Sequence, residues 1–306
     1  VRTQYAMPIA ERSIIPDVYS ELTVDLTSIG VAPEVRLQLI ARAYNEGIAV
    51  RYRLPAQPAV GTARIDGEAT TFIFGGNYTV WAQSSEDEHP HENEHLPARI
   101  NTAPSPMENP LTIQHDNGFY MALTEAAVEN YPASRFARSA NSSLRVEMRG
   151  SAQGTLPFVS PWRVLMIAPT AAKLAEQNYL MYNLAPPSRI ADTSWIKPGT
   201  AMRVGDVNNV DYALEVIDFA KQRGIQYIIF DAGWYGNEWV SGVSPREPRM
   251  GDNGMRQVVR HARENGIGVI LYVNFLQSKR ELDSLMAFYA HQWEYPIAGI
   301  KLGFVD

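Results

Sequence analysis

Between residues 34 and 54 the apolar side chains fall on every second position. Val35, Leu37 and Leu39 mark one run, and Ile48, Val50, Tyr52 and Leu54 mark the next, alternating there with Arg51 and Arg53. Asn45, Glu46 and Gly47 sit between the runs and supply turn residues, so the pattern predicts a hairpin with one apolar face. Further strands are expected at 69–74, 78–82, 118–124, 144–148 and 162–167, punctuated by Gly, Pro, Asn and Ser. Many short strands with one-sided alternation predict an antiparallel β-sandwich over residues 1–168.

A helix is expected at 171–180, and Pro186-Pro187 with the run DTSWIKPGT marks an irregular stretch, so residues 169–197 read as a helical linker. The period then changes. Val210, Ala213, Leu214, Ile217 and Ala220 form a helical stripe closed by Gly224, where a helix-ending glycine belongs. A short β-branched run at 225–230 ends on Asp231. The pair repeats as a helix at 254–265, stopped by Gly266, and a strand at 268–273 closed by Asn274. A third helix at 279–293 leads to a strand at 299–305. With 200–204 as the first, four strands joined by helical crossovers must pair in parallel. Their apolar character predicts a sheet covered on both faces. Polar residues at the C-terminal strand ends, Asp231, Asn274 and Asp306, favour the first half of a (β/α)8 TIM barrel over an open doubly wound sheet. No GxGxxG or Walker motif follows any strand, which argues against a nucleotide fold. The fold class is therefore multidomain, β followed by α/β, with residues 198–306 as a partial barrel carrying strands 1–4.

Composition narrows the partners. The chain has 306 residues, 45% of them hydrophobic and 20% charged, enough to build a sizeable core. The net charge of -6 argues against a nucleic-acid partner, which needs an excess of basic residues on one face. No apolar run reaches the ~18–20 residues of a membrane span, so no membrane partner is expected. The absence of Cys removes disulfides, thiolate zinc sites and cysteine nucleophiles. Residues 86–95, EDEHPHENEH, concentrate five carboxylates with His89, His91 and His95. Their spacing matches no standard metal motif, and a solvated acidic loop accounts for them better than a divalent-metal site or a sugar-contact surface.

Five segments carry a resemblance to a known family: TEAAVENYP from Thr124, SPWRVLMIAP from Ser160, YNLAPPSRIADTSWIKPGT from Tyr182, YIIFDAGWYG from Tyr227 and GIKLGF from Gly299. The chain resembles glycoside hydrolase family 97, which joins an N-terminal β super-sandwich and a helical linker to a (β/α)8 barrel. The resemblance implies a calcium-dependent, exo-acting α-glucosidase or α-galactosidase acting on α-linked oligosaccharides, periplasmic or secreted. It implies a calcium ligand at Glu125, a sugar-stacking aromatic at Trp234 beside Asp231, and a substrate-contacting lysine at Lys301. The chain ends on the fourth strand with no helix to cover it, which predicts a C-terminally truncated fragment. The family's general acid and other calcium ligands belong to later strands, so the 306-residue chain by itself is expected to be inactive.

One departure bears on mechanism. Glycoside hydrolysis uses two carboxylates. Retaining members of the family carry their nucleophile two residues after the strand-four lysine, and here that position is Gly303. Inverting members also have Gly there and place a glutamate after strand three, where this chain reads VNFLQSKRE. Asp306 is the candidate replacement and Glu281 a weaker one. The alternative is a non-catalytic carbohydrate-binding relative on the same scaffold. Glucoside against galactoside, anomeric outcome and oligomeric state are not specified by these residues.

Overall fold

The computed structural model describes residues 1–7, 9–58, 60–85 and 93–305, which form two compact units, Val1–Ala191 and Asp192–Asp306.

The first unit opens with β1 (Arg2–Ala6), β2 (Ile14–Thr27), β3 (Arg36–Tyr44) and β4 (Gly47–Leu54), an antiparallel meander that includes the expected hairpin. There follow β5 (Thr62–Ile65), β6 (Thr71–Ile73), β7 (Thr79–Ala82), β8 (Leu96–Arg99), β9 (Leu111–Gln114) and β10 (Tyr120–Ala126). Then come β11 (Ser134–Ser139), β12 (Ser143–Met148), β13 (Ala152–Thr155), β14 (Phe158–Val159) and β15 (Trp162–Ala168). The main sheet runs β1-β2-β3-β4-β15-β10-β9-β7-β8, with β14 beside β4, and smaller sheets are β11-β12-β6 and β13-β5.

The alternation of β10 and β15 separates two layers of core. Met121 and Leu123 face the smaller sheet and pack with Phe136, Leu144 and Val146. Trp162, Val164, Met166 and Ala168 point the other way. They pack against Leu174 of α1 (Ala171–Glu176) and Leu180 and Leu184 of α2 (Leu180–Leu184). These helices belong to the sandwich core, and so the compact unit runs to Ala191 rather than ending near Ala168.

In the second unit, β16 (Ala201–Arg203), β17 (Tyr227–Phe230), β18 (Gly268–Asn274) and β19 (Gly299–Gly303) pair in parallel in sequence order. A doubly wound sheet would reverse that order at a switch point. The connecting helices are α3 (Val210–Gln222), capped by the Asn209 side chain, and α4 (Gly251–Glu264); then α5 (Phe275–Ser278) and α6 (Leu282–Tyr289). Gly224 and Gly266 follow α3 and α4 with φ of +66° and +71°, the left-handed cap that glycine adopts without strain. The helix expected over 279–293 is shorter, α6 over Leu282–Tyr289, and the one-turn α5, capped by Asn274, precedes it; Glu281 leaves helical geometry between them at φ -122°.

Period two sorts this sheet as well. Ile228, Phe230, Val269, Leu271 and Val273 are buried in one cluster with Ala213, Ile217, Met255 and Val258 of the helices. The opposite face carries Arg203, Asp231, Tyr272, Asn274, Lys301 and Gly303 toward the strand ends. The uniform cover expected on both faces is thus a helical cover on one, with polar side chains gathered on the other. Among the described residues no helix is long and apolar enough to cross a membrane.

Candidate active site at the strand ends

Asp231 follows β17 directly, and its carboxylate is the centre of the polar face. Lys301 Nζ donates to Oδ1 at 3.1 Å and Oδ2 at 3.0 Å, the Ala232 amide donates to Oδ1 at 3.0 Å, and Arg203 Nε lies 3.5 Å from Oδ2. Burial opposes the charge on Asp231, but the Lys301 and Ala232 hydrogen bonds and the two cations outweigh it and hold its carboxyl below the usual carboxylate range. Asp231 and Lys301, singled out separately in the sequence, are therefore in contact. Lys301 remains half exposed, which leaves it a donor for an incoming hydroxyl and makes the ion pair a positioning device more than a stabilising one.

A depressed carboxyl contributes its stabilisation above the ordinary carboxylate range and loses it as pH falls through its own folded value. In Lys301→Met the Asp231 carboxyl is expected to titrate at higher pH than in the parent, so that this loss begins earlier on acidification. Carbon-13 NMR of the aspartate carboxyls across pH reads this directly; an unshifted Asp231 would show that Lys301 does not set it.

Trp234 corrects its expected role. It is completely buried, its indole N–H donates to the Tyr272 carbonyl at 2.8 Å, and its ring packs edge-on against Tyr235 and Trp293. A ring with no free face is core packing, not a sugar platform. The exposed aromatic of this loop is Trp239, 53% accessible, which meets Phe304 edge-to-face at 5.0 Å. Sequence reading passed over it. The signal that separates the two is the pair Gly233 and Gly236, with φ of +96° and +108°, which bridge to each other and turn Trp234 inward.

Gly303 is sterically committed. A Cβ there would lie 2.3 Å from Cε2 of Tyr272 and 3.0 Å from its hydroxyl, so the phenol occupies the space of a side chain at this position. Tyr272 in turn donates to Glu238 Oε1 at 2.7 Å. Burial, then the bonded Glu238 carboxylate, raise the Tyr272 hydroxyl far above the usual phenol range, so it stays a donor. Asp306 lies outside the described residues, as do residues 86–92 of the acidic loop. Glu281 is engaged by Arg246 at 2.5 Å.

Glu125 is likewise occupied. It stands opposite Arg163 across the β10–β15 pairing on the face between the sheets, where both side chains are nearly sealed from solvent. Its Oε1 accepts from the Ser134 amide at 3.0 Å, and its Oε2 accepts from the Ser134 hydroxyl at 2.8 Å and from Arg163. Calcium needs six to eight oxygens with free lone pairs. Three of this carboxylate's roughly four acceptor positions are taken by a guanidinium and a serine, which leaves one position, on Oε1, for any further partner. Among the described residues no cluster of three acidic or histidine side chains could hold a metal. A cavity of about 630 Å³ is lined in the sandwich by Leu37, Tyr52, Leu54 and Phe158 beside Glu68. Its walls are apolar, and the charged groups suited to chemistry lie in the second unit.

A parallel β/α unit with a lysine-paired carboxylate and a phenol–carboxylate pair toward its strand ends thus accompanies a β-sandwich unit in this chain. The chain belongs to glycoside hydrolase family 97: residues 1–187 match its N-terminal domain and residues 195–306 its glycoside hydrolase domain. It is 28% identical over 290 residues to a probable retaining alpha-galactosidase of Streptomyces bingchenggensis, covering 89% of this chain and 42% of that protein. It is 26% identical over 314 residues to a retaining alpha-galactosidase of Bacteroides thetaiotaomicron, covering 87% and 46%. The chain thus spans less than half the length of these curated relatives. In fold it matches a family 97 enzyme of Pseudoalteromonas solved with acarbose, at TM-score 0.85, 20% identity, and 100% and 50% coverage. A beta-arabinopyranosidase matches at TM-score 0.78, 19% identity, and 99% and 52% coverage.

Proposed function

We propose that the whole protein is an exo-acting glycosidase that removes terminal α-galactosyl residues from oligosaccharides, α-glucosyl residues being the nearest competing substrate. The observation that carries this reading is the Lys301–Asp231–Arg203 cluster at the strand ends of a family 97 barrel unit. An ionised carboxylate with a half-free lysine matches the paired acceptors and donors of a sugar ring. The galactosyl preference rests on the names of the two curated relatives.

Initial rates on 4-nitrophenyl α-D-galactopyranoside and the matching glucopyranoside test it. Faster release from the galactoside is expected; faster release from the glucoside would reverse the assignment. A second reading, a carbohydrate-binding protein without turnover, is favoured by one observation, the Tyr272 phenol filling the space over Gly303 where a carboxylate would stand. Saturable binding of both glycosides with no nitrophenol release would select it.

A further inference from the structure

Helices cover only part of the outward face of the main sheet in the sandwich unit. Leu174 of α1 and Leu180 of α2 pack there against Trp162, Val164 and Ala126 of β15 and β10. Across β9, β7 and β8 the same face carries different side chains. Strand register sets Pro97, Trp81 and Thr112 side by side in one row, and Thr79, Gln114 and Tyr120 in the next. The alternate residues Val80, Ala82, Leu111 and Ile113 are sealed in the core beneath, so both rows point away from it.

Trp81 stands on β7, the middle strand of these three, with its ring 38% accessible. Thr79, Thr112 and Gln114 beside it are partly exposed. Tyr120, also partly exposed, lies two strands away, about 10 Å across the sheet. The cation at the end of its row, Arg99, is paired with Asp116 at 2.9 Å. Hydroxyl and amide side chains donate and accept alike. A flat face that combines them with an exposed indole, and whose charge is already paired, is complementary to a neutral sugar chain. The hydroxyls of such a chain both donate and accept, and its C–H faces stack on aromatic rings.

We propose that this face is a carbohydrate-binding surface of the sandwich unit, where a neutral glycan chain stacks on Trp81 and Tyr120 and hydrogen-bonds to Thr112 and Gln114. The class of ligand rests on the glycosidase reading; the site is separate from the residues at the barrel strand ends. An exo-acting enzyme engages only the terminal residue of a chain. A surface that grips internal residues keeps the rest of the substrate attached and raises the effective concentration of chain ends.

The test is native electrophoresis of the 306-residue chain through gels cast with galactomannan or with soluble starch. Retardation relative to a plain gel is expected in at least one of them, and Lys301→Met should be retarded like the parent. Trp81→Ala is expected to weaken the binding read from retardation at least about tenfold, the scale of one lost stacking surface. Gln114→Ala, which leaves the ring in place, should weaken it about threefold, as for one neutral hydrogen bond. Thermal midpoints should hold, because both side chains lie outside the core. Trp195→Ala, at an exposed tryptophan of the other unit, should migrate like the parent. Free migration of the parent in both gels would overturn the proposal, and so would parent-like retardation of either folded variant. Self-association of the parent in sedimentation, lost in Trp81→Ala, would give the face to a second copy of the chain and overturn it as well. The glycosidase reading stands or falls separately, on nitrophenol release by the whole protein.

Discussion

Arg163→Met is expected to destabilise the sandwich unit by about 3–5 kcal/mol, the cost of leaving buried charge without its partner. The Arg163 side chain is 1% exposed and binds two carboxylates, Glu68 through Nε and Nη2 and Glu125 through Nη1. Its removal strands both acids between the sheets, with only the Ser134 donors left to Glu125. A further result separates this cause from lost packing. Neutralising both acids, as Glu68→Gln and Glu125→Gln in the Arg163→Met background, should recover much of the loss. Denaturant unfolding measures both. A deficit that the double neutralisation leaves untouched would assign the effect to volume alone.

The second large effect is expected in the barrel unit. Trp234→Ala should cost about 3–5 kcal/mol, the range for deleting a large buried aromatic, together with the indole bond to the Tyr272 carbonyl. The ring sits among Tyr235, Tyr289 and Trp293, so its removal leaves a cavity that these neighbours can only partly close. Trp239→Ala, five residues along the same loop, should change stability by no more than about 0.5 kcal/mol because its ring is already exposed. Chemical unfolding of the two variants side by side decides the matter; equal losses would show that the loop does not divide its tryptophans into core and surface.

That division marks how far the sequence could be read. Helical stripes closed by Gly224 and Gly266, strands closed by Asp231 and Asn274, and the β3–β4 hairpin were legible because local period and local punctuation determine them. Strand β2 was not read, although Leu22, Val24 and Leu26 alternate, and all three remain solvent-exposed on the sandwich unit. Asp231 was legible as a strand-end polar residue and Lys301 through the family resemblance, and strand register brings the two to one face. Trp234 against Trp239, and the fate of Glu125, were not. Both depend on which way a side chain points after a turn or across a sheet, and neither the glycine bridge of the loop nor the Arg163 partner 38 residues away leaves a periodic trace. Glu238 was missed for the same reason, since Tyr272 reaches this turn residue from β18.

The central claim, that the polar face around Asp231 and Lys301 processes the sugar, is tested most directly by the kcat/KM of the whole protein and of its Lys301→Met variant on 4-nitrophenyl α-D-galactopyranoside. Removing the lysine should lower kcat/KM by ~10²-fold or more, the scale of losing one preorganised polar contact to the reacting sugar, while the unfolding midpoint barely moves. A folded Lys301→Met variant that turns over the galactoside at the parent rate would place the chemistry elsewhere and contradict the account.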